Sequence, residues 1–360
     1  MTETMENTRF TPGSPAALGY RMPPEWAPHA ATWFTWPQNS DTWGRHLPSV
    51  ESAMARAVAA LREGEAVHLN VLSEDHADHV REALARFERP GHPHPVHLHV
   101  VPNDDAWCRD HGAVFLTNAE ADAPLAALDF EFNAWGGKYP PYDRDNRVAR
   151  EMAAITGARL FRKDLVLEGG SIEVNGAGTV LTTERCLLNP NRNPGLSRET
   201  IEGVLRDTLG VHTVLWTDAE LAGDDTDAHI DNLARFVSED TVLTVVEENP
   251  EDANYQSLQE NLRRLQALRL PDGRPLQIEA LPTPKPVVTD GVRLPASYAN
   301  FYIGNAVVLL PVFRDPADDR AAEIVQRHFP DRRVVPIDAR AVVWGLGAFH
   351  CLSQQVPAVG

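Results

Sequence analysis

Cys351 lies in GLGAFHCLSQQVP, just after Gly345 and Gly347. Glycines beside a thiol suit close approach of a ligand or unusual backbone angles, and the thiolate is a nucleophile. A lone cysteine is more often a small buried hydrophobe of the core. His229 and Asp231 stand in TDAHIDNLARF. On a strand, His-x-Asp spacing puts both side chains on one face, one for acid–base work and one to hold a cation. The other reading is an Asp-rich turn (Asp224, Asp225, Asp227) with His229 as a strand cap. Asp110, in NDDAWCRDHGAVFL, follows Trp107 and Arg109 and precedes a glycine and an apolar run, as a loop feeding a site would. An ordinary surface pair of Arg109 and Asp110 explains the same letters. Cys108 and His111 have half of a metal site's spacing, without a second Cys/His pair to complete it. Glu168 opens LEGGSIEV, where it would orient a histidine or serve as a turn carboxylate.

These residues must be brought together by the elements around them. Apolar periodicity predicts helices over 48–61, 75–87, 197–209, 255–268 and 317–329. Strands are expected at AATWFTW, AVHLNVL and VHLHVVP. Further on, a polar, Gly- or Asp-rich segment repeatedly leads into a strand, a turn and a second strand, at 169–183, 229–246 and 296–313. The turn dipeptides are Asn175-Gly176, Glu239-Asp240 and Gly304-Asn305. A helix and a short strand follow each hairpin (HTVLW, LQIEAL, RVVPI), giving a strand–strand–helix–strand unit of roughly 60 residues. Asp110, Glu168, His229 and Cys351 are separated by 58, 61 and 122 residues, the last near two units. In a closed ring of such repeats the equivalent loops meet at one mouth. A doubly wound parallel sheet is the alternative, but it would use crossovers where this chain has hairpins.

That mouth would hold a nucleophilic thiol, an imidazole and several carboxylates. A guanidinium is a planar cation that stays protonated, and its hydrolysis needs this set. Asp110 and Asp231 suit a bidentate carboxylate clamp on its N–H groups, with Trp107 on the substrate side. Cys351 suits the nucleophile, His229 the acid and base, and Glu168 the partner of His229. The scheme requires no metal and no organic cofactor. Composition agrees: the net charge of −18 and pI of about 5.2 oppose nucleic acid and anionic membranes. Three scattered cysteines suit a reducing compartment. We expect no signal peptide and no run of the ~20 apolar residues that a bilayer span needs, hence a cytoplasmic protein. Residues 1–16 read as a flexible tail, and 17–360 as a single catalytic domain.

The chain resembles the agmatine deiminases and their bacterial peptidylarginine deiminase relatives, among the guanidino-group-modifying enzymes. The resemblance runs from about Gly19 to Pro357 through MPPEWAPHAATWFTWP, NDDAWCRDHGAVFL, FNAWGGKYPPYDRDN, LEGGSIEVNGAGT, LLNPNRNPGLS, HIDNLARF, SYANFYIGN and HCLSQQVP. It implies a five-bladed α/β propeller with pseudo-fivefold symmetry and an amidino-cysteine intermediate on Cys351. It implies guanidinium binding by Asp110 and Asp231, acid–base work by His229, and pairing of Glu168 with His229. The reaction implied takes agmatine and water to N-carbamoylputrescine and ammonia, a step of putrescine and polyamine biosynthesis. Such enzymes are often homodimers.

Two stretches depart from the family pattern. KYPPYDRDN (138–146) replaces the Tyr- and Trp-bearing segment that follows FNAWGG in plant-type relatives, and Leu346 interrupts a stretch usually richer in glycine. Both are expected to border the substrate tail. Free arginine or peptidyl-arginine are therefore alternative substrates, with Arg144, Arg147 or Arg235 as candidates to pair with an α-carboxylate. An amidinotransferase, a non-catalytic binder of cationic amines, and a metal hydrolase built on His229, Asp231 and Asp110 are the remaining rivals.

Overall fold

The computed structural model describes residues 10–87 and 91–359. The expected tail falls largely on residues 1–9, outside the described residues. Phe10 stacks on His212 at 5.4 Å, and the Thr11 backbone N–H donates to Asp207 Oδ1 at 2.8 Å.

The fold is mixed α/β. β1 (His29–Thr35), β2 (Ala66–Val71) and β3 (Val96–Val100) run parallel, so each connection must cross over, here through the helices Leu47–Leu61 and Glu74–Ala85. Next come β4 (Val114–Thr117), β5 (Leu125–Glu131) and β6 (Arg159–Val166). β4 and β5 form a hairpin, and β6 returns parallel to β5 after the helix Asp145–Thr156. The same plan recurs in β7 (Ile172–Val174), β8 (Thr179–Thr183) and β9 (Thr213–Thr217), with the helix Arg198–Leu209. It recurs in β10 (Ala234–Phe236), β11 (Thr241–Val246) and β12 (Gln277–Pro282), with Tyr255–Ala267. A small hairpin, β13 (Val288–Thr289) and β14 (Val292–Arg293), precedes the last full unit. That unit is β15 (Tyr302–Ile303), β16 (Val307–Val312) and β17 (Arg333–Asp338), with Ala317–His328. Finally β18 (Ser353–Pro357) lies antiparallel on β1 and gives the first sheet its own hairpin-like pair. The predicted hairpins and helices thus recur in place, with ends shifted by a residue or two.

Local chemistry accounts for the units. In the turn between β7 and β8, Asn175 Oδ1 accepts from the backbone N–H groups of Ala177 and Thr179, while Gly176 and Gly178 take φ of +72° and +84°. Ser197 caps Arg198–Leu209 through the Thr200 N–H, and Gly210 ends that helix in a left-handed conformation. The first strand of each unit is buried, whereas β3, β6, β9, β12 and β17 are partly exposed along their length. The core includes Trp33, Trp36, Trp43, Phe236 and Phe301, all fully buried. Among the described residues no helix is long and apolar enough to cross a membrane.

One consequence governs the site. Asp110 lies just ahead of β4, Glu168 ahead of β7, His229 and Asp231 ahead of β10, Asn300 ahead of β15, and Cys351 ahead of β18. Each buried first strand is therefore preceded by a residue of the same polar group. The placing of His229 and Asp231 on a strand is corrected. His229 instead caps the 3-10 turn Ile230–Asn232. The preceding Asp227 and Ala228 take φ of +63° and +69°, and the His229 N–H is held by Thr226 Oγ1, so the backbone is tightly turned there and extended only from Ala234.

Candidate active site

Cys351 belongs to the single turn Phe349–Leu352, which feeds β18. Asn300 organises that turn. Its Oδ1 accepts the backbone N–H groups of Ala348 (3.1 Å), His350 (3.1 Å) and Cys351 (3.3 Å). Its Nδ2 donates to Cys351 Sγ at 2.9 Å. The thiol also points at Asp231 Oδ2, 3.4 Å away. Burial, then the charges of Asp231 and Asp110, push the Cys351 thiol well above its ordinary range. In the free protein it is a thiol, not a thiolate. A side chain at Gly347 would meet Cys351 Sγ at 3.0 Å and Trp107 at 2.6 Å, so the glycine there is a packing requirement. Leu346 takes a left-handed φ of +73°, the conformation that glycine adopts without strain.

Asp231 is fully buried and is fixed by His350, whose Nδ1 lies 2.7 Å from Asp231 Oδ2 and whose Nε2 lies 2.8 Å from Glu25 Oε2. The His350 ring thus bridges the two carboxylates. Burial works against the Asp231 carboxylate, but His350, His229 and Arg235 hold it below the usual range. Glu25 is likewise held well down by Arg235, His350 and Arg109 despite its burial. Arg109 is no surface partner of Asp110. It is 2% exposed and reaches Glu25 Oε2 (3.2 Å) and Gln355 Oε1 (2.8 Å).

Asp110 has both oxygens engaged. Oδ1 accepts the Gly170 N–H at 2.9 Å, and Oδ2 accepts Trp135 Nε1–H at 3.0 Å. Ala134 and Trp135 sit at φ of +52° and +57°, strained values for these residues, in the loop that delivers the indole. Burial raises Asp110 to about 6, with His229 pulling down and Asp231 and Glu168 adding to the rise.

His229 is fully buried between carboxylates: Nδ1 is 3.7 Å from Asp110 Oδ1, and Nε2 is 3.9 Å from Glu168 Oε2. Among the described residues neither ring nitrogen has a partner within hydrogen-bond distance. Burial draws its pKa down, but Asp110, Cys186 and Glu168 raise it well above the ordinary value, so the ring is cationic at neutral pH. Glu168 is anchored by Arg192 Nε at 2.7 Å. Glu168, Cys186 and His229 have donor atoms within 4.8 Å of one another, close enough for a metal ion. The Arg192 guanidinium already neutralises Glu168, and burial raises the Cys186 thiol. These donors therefore fit a charge-paired cluster better than a metal centre. Among the described residues Cys108 and His111 join no group of possible metal ligands, and burial drives Cys108 up to about 12 and His111 down to about 3.

Asp110, Trp107 and Cys351 line one cavity of about 640 Å³. Its walls carry Asp41, Asp104, Asp105, Asp145 and Asp225, together with Trp135, Tyr139, Pro140, Pro141, Trp344 and Leu346. Both stretches that depart from the family pattern therefore reach it. Arg144 is the arginine among the described wall residues, exposed and 3.9 Å from Asp104. Arg147 is exposed and not on the wall, and Arg235 is locked between Glu25 and Glu173 at 2.9 Å each.

The sequence-predicted residues Asp110, Glu168, His229, Asp231 and Cys351 thus meet, with Trp107 beside them. Sequence reasoning missed Asn300, His350, Trp135, Arg192 and Glu25. Asn300 alone had a usable clue: it precedes a predicted hairpin in the same phase as the others.

The family described as Porphyromonas-type peptidyl-arginine deiminase matches residues 21–357. The agmatine deiminase of Ectopseudomonas mendocina (strain ymp) is 38% identical, the match covering 96% of this chain and 97% of that protein. That of Pseudomonas aeruginosa (strain LESB58) is 38% identical with the same coverage. The solved agmatine deiminase of Enterococcus faecalis superposes with a TM-score of 0.89 at 34% identity, over 98% of this chain and 100% of that one. A Cys-to-Ser variant of the C. jejuni agmatine deiminase, solved with substrate bound, gives 0.84 at 30% identity, over 94% and 96%. With nearly its whole length matched, the chain belongs to the Porphyromonas-type peptidyl-arginine deiminase family.

Proposed function

We propose that this chain is an agmatine deiminase, hydrolysing agmatine to N-carbamoylputrescine and ammonia through Cys351. The observation that carries the reading is Cys351 Sγ, 3.4 Å from Asp231, opening into the cavity that Asp110 also lines. Asp110 and Asp231 clamp the guanidinium, and Trp107 packs beside it. The arriving cation offsets the two carboxylates that keep the thiol protonated, so substrate binding itself favours the thiolate. Sγ attacks the guanidinium carbon and forms a tetrahedral adduct. His229, as imidazolium, gives its proton to the departing nitrogen, and ammonia leaves an amidino-cysteine. Neutral His229 then takes a proton from water, the hydroxide adds to the same carbon, and collapse breaks the C–S bond while the adduct's hydroxyl proton passes to the departing sulfur, releasing the ureido product and restoring the Cys351 thiol. Glu168 stabilises the charge on His229. The acidic wall suits the second cation of agmatine, its primary amine, better than the carboxylate of free arginine. The same reading takes 17–360 as one catalytic domain and its five repeated sheets as the blades of a pseudo-fivefold propeller.

The test is ureido product and ammonia from agmatine, arginine and a blocked arginyl peptide, with Cys351→Ser in parallel. Turnover of agmatine, lost in the variant, is expected. Turnover of another guanidine alone would overturn the substrate but keep Cys351. No turnover of any of the three by folded protein would overturn the enzyme reading.

A further inference from the structure

Away from this site, the first sheet carries a second group of side chains that the proposed reaction does not use. β2 reads AVHLNV and β3 reads VHLHV. In the parallel register His68 lies opposite His97, and His99 is two residues further along β3, so all three side chains leave one face of the sheet. The rings are in contact: His68 and His97 centroids are 4.8 Å apart, and His68 and His99 are 4.9 Å apart and nearly parallel. His68 Nδ1 and His99 Nε2 face each other at 2.8 Å. Two ring nitrogens at that distance share one proton, so one of them presents a lone pair. The floor beneath is rigid. Trp33 is fully buried, lies 4.6 Å from His68 and 5.1 Å from His99, and has its indole N–H fixed by Asn70 at 2.9 Å.

We propose that His68, His97 and His99 form a binding site for one borderline divalent transition-metal ion, such as Zn²⁺, Co²⁺, Ni²⁺ or Cu²⁺, separate from the catalytic cavity. Imidazole is the ligand type these ions take. Two Zn–N bonds of ~2.0–2.1 Å at a tetrahedral angle place their nitrogens ~3.3 Å apart. The 2.8 Å pair therefore has to open by only about half an ångström. The shared proton moves to the far nitrogen of its ring, both near nitrogens become donors to the metal, and no net proton is released. His97 is exposed on the edge strand and supplies the third nitrogen by a side-chain rotation. Three imidazoles leave a fourth position for water. Such an ion would tie β3, the outermost strand of its sheet, to β2.

The experiment is a Co²⁺ titration of full-length, tag-free protein stripped with chelator, read by visible absorption and by competition with a chromogenic chelator. His97→Ala, His99→Ala and the double variant run alongside. The expected result is one Co²⁺ per chain, with d–d bands and no thiolate-to-cobalt charge transfer. Affinity should fall at least tenfold in each single variant and by more in the double. Agmatine turnover and the circular dichroism spectrum should be unchanged by the substitutions. Charge-transfer absorption would place the ion at Cys186 or Cys351 and overturn the proposal. Absence of stoichiometric binding would also overturn it, as would affinity unaffected by the two substitutions.

Discussion

Gly170 offers the sharpest test of the site's geometry. It lies among the proposed catalytic groups, and its backbone N–H holds Asp110. Its φ lies outside the left-handed region, so alanine meets no backbone penalty there. A Cβ at this position would sit 2.6 Å from His229 Nδ1, 2.8 Å from Asp110 Oδ1 and 3.0 Å from Asp231 Oδ2. Ordinary contact needs roughly 3.5 Å, so at least one of these groups must move by about 0.5–0.9 Å. Misplacement of about 1 Å costs on the order of 100-fold in rate when positioning carries the catalysis. Gly170→Ala should therefore lower kcat/KM for agmatine by about 30- to 100-fold, or about 2–2.7 kcal/mol of transition-state stabilisation. Overpacking should also remove about 1–3 kcal/mol of stability. The assay is steady-state release of ureido product, with thermal unfolding by circular dichroism. Gly203→Ala is the comparator: it lies inside Arg198–Leu209, its Cβ would meet nothing within 4 Å, and it should gain about 0.5–1 kcal/mol of stability with unaltered activity. A Gly170→Ala enzyme that is folded and within threefold of wild-type kcat/KM would refute the idea that these three side chains act as one constellation.

Because Cys351 is a thiol held well above its ordinary range, its thiolate fraction below that pKa should rise about tenfold per pH unit. Iodoacetamide inactivation of the free enzyme should climb through pH 7–9 without a plateau, and a plateau already at pH 7 would contradict this. Trp135→Phe keeps the ring but removes the N–H that holds Asp110. A hydrogen bond to a charged group contributes about 1.5–3 kcal/mol, so kcat/KM for agmatine should fall by about 10- to 100-fold with little change in thermal stability. Arg192→Met strands the fully buried Glu168. Urea unfolding should show a loss of about 3–5 kcal/mol, and an unchanged midpoint would mean that another group neutralises Glu168.

Hairpins and helices were legible because each is written locally. The apolar period and the dipeptide Asn175-Gly176 are enough to place β7 and β8. The pairing of β18 with β1 was not legible, since it joins His29 to Pro357 and no local pattern announces it. The site divides the same way. Asp110, Glu168, His229, Asp231 and Cys351 were visible as reactive types in a common phase of the repeat. Their supports were not, because each acts across a long stretch of chain: His350 on Glu25, Trp135 on Asp110, Arg192 on Asp227. Spacing reports neighbours in sequence, and these bonds join neighbours in space. At His229 the letters left a strand and an Asp-rich turn both open, and the backbone there is turned. Only the left-handed residues before it decide between the two.

The supports also explain how a site this buried tolerates its charge. The carboxylates Glu25, Asp110, Glu168, Glu173 and Asp231 are matched by Arg109, Arg192, Arg235, His229 and His350, all of them buried. An unmatched ion there would be strongly unfavourable. With the charges already balanced, a thiolate at Cys351 would be an excess anion beside Asp231, and the protein keeps the proton instead. A guanidinium entering the same pocket would be an excess cation. The two excesses cancel only when they occur together, so binding of the cation and ionisation of the thiol favour one another. On this account the balanced network does more than hold the site in shape. It keeps the sulfur unreactive until a substrate of the right charge is in place, and a neutral ligand of the same shape would leave Cys351 protonated.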